Sequence, residues 1–453
     1  MSRRNAPIPA RADAATLLVV HPHAAAVDVH SDNHVACIGP EQVRTFGAYS
    51  ADLATLADWF TQSGITTVVL ESTGVYWIPL FELLEARGFE AFLIEPSQAS
   101  HCGARPKTDR LDCQWLQRLH TFGLLRPSFR PPEAVLALRG YWRQRQMLVR
   151  YASHHVQHMQ KALEQMNVKL TEVVSSITGV TGSAIIAAIL AGERDAGKLA
   201  KLRHEKCARS EAEIALALEG TWRAEHLFAL KQAWELYHHL HRQIDECDLK
   251  IAEELERLPD RRGDAPIASK PRRRGRKSND VRFDATAKLT RAIGVDLTAI
   301  EGIDVTTALV ILAEIGVDVG RFPDEKHFAS WLGLCPRTSR SNKTERRRTP
   351  RKGKNRVAQA LRMAAQAVGR TQTALGQFYR RIKSRIGGRG AITATAHKLS
   401  RLVYRMLRDG TEYVVRSLAE YEAQMREKLE RSLRRKAEAL GFDLTPKAPA
   451  SSP

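Results

Sequence analysis

AAAVDV (residues 24–29), VACI (35–38), TTVVLE (66–71) and FEAFLI (89–94) punctuate the first third of the chain, and their reading decides the fold. Each is an apolar run of strand length. Between the last two lies a helical pattern at 77–87, closed by Gly88 where a helix C-cap belongs. Ser31, Asp32 and Asn33 separate the first two runs as turn residues and predict a hairpin. Short strands alternating with a helix make residues 14–130 an α/β domain.

Beyond Pro131 and Pro132 the composition shifts to Ala, Leu, Glu, Gln, Arg and His at helical spacing over 136–168 and 210–258, predicting a helical or coiled-coil region at 131–258. Leu227, Leu230, Trp234 and Tyr237 recur at three to four residues, as a core or coiled-coil stripe does. Residues 259–284 are rich in Pro, Gly and Ser, and six of the eight from Lys270 to Lys277 are basic, which reads as a flexible basic linker. A mainly helical domain is expected at 285–418, followed by a charged helix and a Pro/Ser-rich disordered end at 419–453. The fold class is therefore α/β plus α.

The 453 residues are 43% hydrophobic and 26% charged, near the globular average, which excludes a wholly disordered, collagenous or disulfide-knot protein. The net charge of +20 favours a polyanionic partner. It is unevenly placed. Residues 1–130 hold 11 Lys/Arg and 13 Asp/Glu, a net of −2 that leaves +22 for the remainder, and 337–389 carry 17 Lys/Arg against one acid, Glu345. That bias exceeds what a solvated helix face needs and points to nucleic acid. The six cysteines show no CxxC spacing and read as reduced thiols. The longest apolar run, 182–192, falls short of the about 20 residues a bilayer requires, and the N-terminus lacks a secretory pattern, so a cytoplasmic protein without a membrane partner is expected.

Four carboxylates stand out. Asp28 interrupts the small apolar residues of the first strand, where a charge is costly unless a cation or donor meets it. Glu71 ends a second apolar strand, and Asp109 and Asp112, three apart, share one face of a helix starting after Lys107 and Thr108. Oxygen donors from two strand ends and one helix suit Mg²⁺ or Mn²⁺, and two such ions about 3.5–4 Å apart serve phosphodiester chemistry. Singly, each acid has an ordinary reading: Asp28 in a hairpin turn, Glu71 at a strand end, Asp109 as an N-cap and Asp112 as first-turn dipole compensation.

Glu71-Ser72-Thr73-Gly74-Val75-Tyr76-Trp77, then Lys107-Thr108-Asp109-Arg110-Leu111-Asp112-Cys113-Gln114-Trp115-Leu116, with Val27-Asp28-Val29 upstream, resemble the DEDD-type RuvC-like domain of the insertion-sequence-110 family of transposases. Phe328-Ala329-Ser330-Trp331-Leu332-Gly333-Leu334-Cys335-Pro336, Asn355-Arg356-Val357-Ala358-Gln359-Ala360-Leu361-Arg362 and Thr393-Ala394-Thr395-Ala396-His397-Lys398-Leu399 resemble that family's second domain. The matching blocks cover most of 20–130 and 290–415. The resemblance implies an RNase H-like fold for the first domain, with Asp28, Glu71, Asp109 and Asp112 as a catalytic metal-binding tetrad. It also implies a serine that joins covalently to a DNA phosphate, a structured guide RNA encoded by the element, donor and target DNA as substrates, and a homo-oligomer, dimer or tetramer.

In the family that serine follows a Gly-Leu-x-Pro turn by a few residues. Here Ser341 occupies the matching position, Ser339 is a nearby rival, and Asn342 and Lys343 replace the expected glycines. A serine hydroxyl is a weak nucleophile until its proton is removed and the phosphate charge offset. Arg337, Arg340, Lys343, Arg346, Arg347 and Arg348, with Lys107, make up the nucleic-acid-binding set. A solvated Ser/Arg loop without chemistry is the ordinary alternative. The run 297–304 resembles a helix hairpin whose amides hold a phosphate, although Asp304 equally suits a helix N-cap. Phe378 and Tyr379 fit base stacking or, preferentially, core packing, and His21, His23, His30 and His34 read as surface or turn residues. A hydrolytic RuvC-like nuclease or junction resolvase, and a non-catalytic nucleic-acid-binding relative, are the rival functions.

Overall fold

A computed structural model describes residues 18–100, 108–262, 279–335, 337–341, 344–348, 355–443 and 445, and the chain divides into two compact units at Arg130/Pro131. In chain order the first unit contains β1 (Ala24–Val29), β2 (Asn33–Cys37), β3 (Val43–Gly47), α1 (Ser50–Gln62), β4 (Thr67–Glu71), α2 (Trp77–Ala86), β5 (Glu90–Ile94), α3 (Pro96–Ser100) and α4 (Asp109–Thr121). The sheet order is β3-β2-β1-β4-β5, antiparallel from β1 to β3 and parallel from β1 through β4 to β5.

Both faces of this sheet are covered, so its central strands are apolar almost throughout. Val27, Val29, Val68 and Leu70 pack with Leu56, Phe60, Leu80 and Phe81 of α1 and α2. Ala26, Val35, Val69 and Ile94 pack with Cys113, Leu116 and Leu119 of α4 on the other face. The strand β3 and the helix α1 add to the elements expected from sequence. At the sheet edge β3 is half exposed and carries Arg44 and Thr45, so no apolar run announces it.

The second unit begins with α5 (Leu136–Gln165), α6 (Leu170–Val173), α7 (Val180–Leu190), α8 (Ala196–Ala200), α9 (Glu211–Ala217) and α10 (Ala224–Arg257). The long helices α5 and α10 run antiparallel. At one end the Thr221 N–H donates to the Met166 carbonyl at 2.8 Å, and toward the other Arg145 meets Asp248. Their shared core takes in Leu230 and Tyr237, half of the apolar stripe read from sequence, with Leu227 and Trp234 packed at its margin.

There follow α11 (Ala285–Ile293), α12 (Val305–Ile315), α13 (Glu325–Trp331), β6 (Arg337–Ser341), β7 (Thr344–Arg348), α14 (Arg356–Val368), α15 (Ala374–Asp409) and α16 (Thr411–Ala439). The hairpin β6–β7 departs from the mainly helical expectation. It has no apolar alternate face, so period-2 hydrophobicity gives no signal. The helix α15 breaks at Gly387, whose φ of 78° lies in the left-handed region. The helix α16 runs through the boundary expected at 418/419. Among the described residues no helix is long and apolar enough to cross a membrane.

Candidate functional site

Every residue of β1 is buried, and Asp28 is its single charge. It stands inside the strand, paired in register with Val35 of β2, and so is not the turn acid that one sequence reading allowed. Side-chain direction alternates along a strand, so Asp28 shares its face with Ala26, which packs toward α4. Leu70 of β4 pairs with Val27, and one further step in that parallel register sets Glu71 level with Asp28. Val69 also belongs to the α4-facing cluster, which puts Glu71 on the same face.

The start of α4 supplies the other two acids, Asp109 and Asp112. Thr108, and not Asp109, is its N-cap: the Thr108 Oγ1 accepts from the Leu111 N–H at 3.3 Å. Asp109 is thereby released from capping. Buried Cys113 Sγ donates to the carbonyls of Val35 (3.0 Å) and Ala26 (3.4 Å), which ties this end of the helix to β1 and β2 immediately after Asp112.

The structure brings Asp28 and Asp109 together, and it brings a histidine with them. His30 Nε2 lies 3.4 Å from Asp28 Oδ2 and 3.9 Å from Asp109 Oδ2, and ligand atoms of all three residues lie within 4.8 Å of one another. Burial lifts the Asp28 carboxyl above its ordinary 3.8, His30 opposes that rise, and the charges of Asp109 and Asp112 reinforce it. Asp112 is thus close enough for its charge to be felt, while its own helix position is half-buried. A nearly buried carboxylate crowded by two others is a set of donors suited to a divalent cation.

His30 stands in the β1–β2 turn, as the sequence reading placed it, but two residues beyond Asp28 its ring continues that residue's face, a signal the reading did not use. His34 is also no surface group, being 2% exposed on β2. Two of the cysteines, Cys37 and Cys113, far apart in sequence, also share the α4-facing core, and the Cys37 Sγ donates to the Gly39 carbonyl at 3.0 Å.

Lys107 and Lys343 lie outside the described residues. Ser341 is the last residue of β6 and pairs with Thr344, closing a ladder in which Arg337 pairs with Arg348, Thr338 with Arg347, Ser339 with Arg346 and Arg340 with Glu345. By register, Ser339 and Ser341 fall on one face with Arg337, Arg346 and Arg348. Asp304 caps α12, its Oδ1 accepting from the Thr307 N–H (2.8 Å) and hydroxyl (2.7 Å), so the proposed phosphate hairpin at 297–304 is an ordinary capped helix start. Phe378 is half-buried instead of core, with Lys398 Nζ 5.0 Å and Arg381 5.8 Å from its ring. Burial, Arg381 and Arg401 push the Lys398 ammonium down to about 8.

Two buried glutamates escaped the sequence reading. Glu314 of α12 is bound by Arg143 (2.7 Å) and Arg139 (3.1 Å) of α5, with Arg356 of α14 at 3.7 Å. Burial would raise its carboxyl, but these three guanidiniums hold it below 4.5. Glu325 of α13 likewise holds Arg401 and Arg405 of α15.

Comparison with known proteins gives two family matches. A DEDD transposase model of the IS110 type matches residues 25–168, and a model described as "Transposase IS116/IS110/IS902 family" matches residues 296–380. A curated relative, "Insertion element IS110 uncharacterized 43.6 kDa protein" of Streptomyces coelicolor, is 33% identical over 130 residues. That stretch is 28% of this chain and 31% of the relative's length.

Proposed function

The chain belongs to the IS110 family of transposases, and from that premise we propose that it is a DNA transposase or site-specific recombinase that breaks and rejoins strands through a serine–DNA linkage. The observation that carries the reading is the convergence of Asp28 and Asp109, with Glu71 level with Asp28 in register and Asp112 felt at its carboxyl.

In this reading Asp28, Glu71, Asp109 and Asp112 hold Mg²⁺ or Mn²⁺. A divalent cation bound there supplies Lewis-acid polarisation of a phosphodiester and lowers the cost of forming an oxyanion. The protein's own parts are these. Asp28, fixed inside a strand, sets the position of the cluster, and α4 brings Asp109 and Asp112 to it through the Thr108 cap and the Cys113 anchor. Ser341 Oγ attacks phosphorus, the bond to the bridging deoxyribose oxygen breaks, and that oxygen leaves with a proton as a free hydroxyl. A second strand's hydroxyl then attacks the same phosphorus and returns the proton to Ser341. Bond number is conserved, so no high-energy cofactor is needed. The Arg-rich hairpin with Arg337, Arg340, Arg346, Arg347 and Arg348, together with Lys107 and Lys343, would offset phosphate charge, and the like-charged pair Arg337 and Arg348 across its ladder is relieved by an anion. Donor and target DNA are the substrates, an element-encoded guide RNA selects them, and the working form is a homo-oligomer.

The test is incubation of protein, flanking noncoding RNA, donor and target DNA with Mg²⁺, read as a denaturation-resistant protein–DNA adduct. Ser341→Ala should abolish the adduct, and Asp28→Asn or Asp112→Asn should abolish cleavage. An adduct that persists in Ser341→Ala but is lost in Ser339→Ala moves the nucleophile by two residues. Cleavage by Ser341→Ala at the wild-type rate, without adduct, indicates instead the hydrolytic nuclease. Absence of any Mg²⁺-dependent cleavage indicates a binding protein.

A further inference from the structure

The imidazole beside the acid set is not explained by the four carboxylates. His30 Nε2 is shielded from solvent although the side chain as a whole is 35% exposed, and its polar neighbours are carboxylate oxygens of Asp28 at 3.4 Å and Asp109 at 3.9 Å. A ring nitrogen aimed at two carboxylates, neither at the roughly 2.7–3.2 Å of a well-formed hydrogen bond and all three ligand atoms within 4.8 Å of one another, is arranged to share a ligand with them. Its position is imposed by the backbone. His30 follows β1 directly, its N–H donates to the Asn33 carbonyl at 3.1 Å to close the β1–β2 turn, and the strand period puts its ring on the face of Asp28. The ring is therefore delivered to the cluster by the same hairpin that delivers the carboxylate.

We propose that His30 is a nitrogen ligand of the divalent cation held by the acid set, and that it biases this site toward Mn²⁺ over Mg²⁺. The proposal rests on the reading of Asp28 and Asp109 as metal ligands. Mg²⁺ takes oxygen donors in near-ideal octahedra and gives up water reluctantly, whereas first-row transition ions accept imidazole readily. Replacing one water or carboxylate by a neutral ring nitrogen thus costs Mg²⁺ more than it costs Mn²⁺. The rival account is a counter-ion: a protonated His30 that merely offsets two acids. It makes the opposite forecast, because a cation at that place would compete with a metal instead of binding it.

The test uses the full-length protein titrated with MnCl₂ and followed by electron paramagnetic resonance, with spin-echo modulation recorded on the bound ion. Wild type should show directly coordinated ¹⁴N, His30→Gln should lose it, and Mn²⁺ affinity should fall at least about tenfold while Mg²⁺, measured by competition, changes far less. The wild-type spectrum does not depend on how well any variant folds. Bound Mn²⁺ lacking nitrogen modulation, or modulation that survives in His30→Gln and so comes from another histidine such as His34, overturns the assignment and leaves the acid set standing. Tighter Mn²⁺ binding by His30→Gln establishes the counter-ion and also overturns it. Failure of wild type to bind Mn²⁺ any better than Asp28→Asn removes both the ligand and the metal site on which it rests.

Discussion

His120 of α4 is 1% exposed, its Nε2 lies 2.9 Å from Thr67 Oγ1, and the His21 ring stacks on it at 4.7 Å. Burial first, and the charge of His21 second, push it from an ordinary 6.5 to about 4. The folded protein therefore keeps His120 neutral where the unfolded chain would protonate it. Its contribution to stability is intact above pH 6.5, falls as pH drops from 6.5 toward 4, and is gone below 4; the difference is worth about 3 kcal/mol. Urea unfolding of His120→Gln should show a flatter acid limb than wild type across that window, and parallel limbs would refute the assignment. Gly302 makes a different demand. Its φ of 88° suits glycine alone, and a Cβ there would run into Val368 of α14. Gly302→Ala should cost about 1–3 kcal/mol, read as a lower denaturation midpoint, from left-handed strain and overpacking together. Neither demand was legible from sequence, whereas Asp28 was, because a charge in an apolar run is conspicuous. His120 sits in the last turn of a polar-looking helix, and its burial depends on a sheet assembled from distant strands.

Within the second unit, the pair Arg145–Asp248 shows how single contacts fix whole elements. Both side chains are 2% exposed, their Nε–Oδ1 distance is 2.5 Å, and Asp248 Oδ2 also accepts from the Arg282 N–H at 3.1 Å, while an Arg145 nitrogen donates to the Asn279 carbonyl at 3.2 Å. One ion pair thus clamps α5 to α10 and receives the chain just before α11. Asp248→Ala would strand a buried guanidinium and should cost about 3–5 kcal/mol, whereas Arg145→Leu with Asp248→Leu should recover most of that loss, since an apolar pair of similar volume replaces an expensive one. Far-UV circular dichroism in urea measures both; equal losses in the single and double variants would contradict the argument. The elements themselves divide by what holds them. Strands β1, β4 and β5 were legible as short apolar runs, because both faces of the sheet are covered, and helix α10 as an apolar stripe at period 3.6. The strands β6 and β7 were not, since their sequences, RTSRS and TERRR, hold no apolar residue to mark an alternation. The start of α4 was half legible: Thr108 and Asp109 are both good caps, and local chemistry alone does not say which one the helix uses.

Across the molecule, charge is partitioned along the chain, and this is legible without any fold because counting Lys and Arg requires none. The first 130 residues carry −2, whereas 337–389 carry 17 cations and one anion. An acid set meant for a cation gains nothing from a strongly positive surround, and a polyanion-binding surface gains nothing from acids, so the two tasks separate by charge. Nucleic-acid affinity should accordingly be carried by the second unit and should respond to salt through the cations that meet phosphates. Each such contact releases condensed counterions and steepens the fall of log K with log salt by about 0.7–0.9. Arg346, Arg347 and Arg348 are consecutive on β7, so Arg346→Ala, Arg347→Ala and Arg348→Ala combined should reduce that slope by up to about 2–3, nearly equally for unrelated DNA sequences. The matching change in the first unit, Arg44→Ala with Arg87→Ala, should leave the slope unaltered. Fluorescence anisotropy of labelled duplexes between low and physiological salt reads both variants. A slope that moves with Arg44 and Arg87 but not with the hairpin would transfer the polyanion surface to the sheet unit and dissolve the division of labour on which the hairpin's role depends.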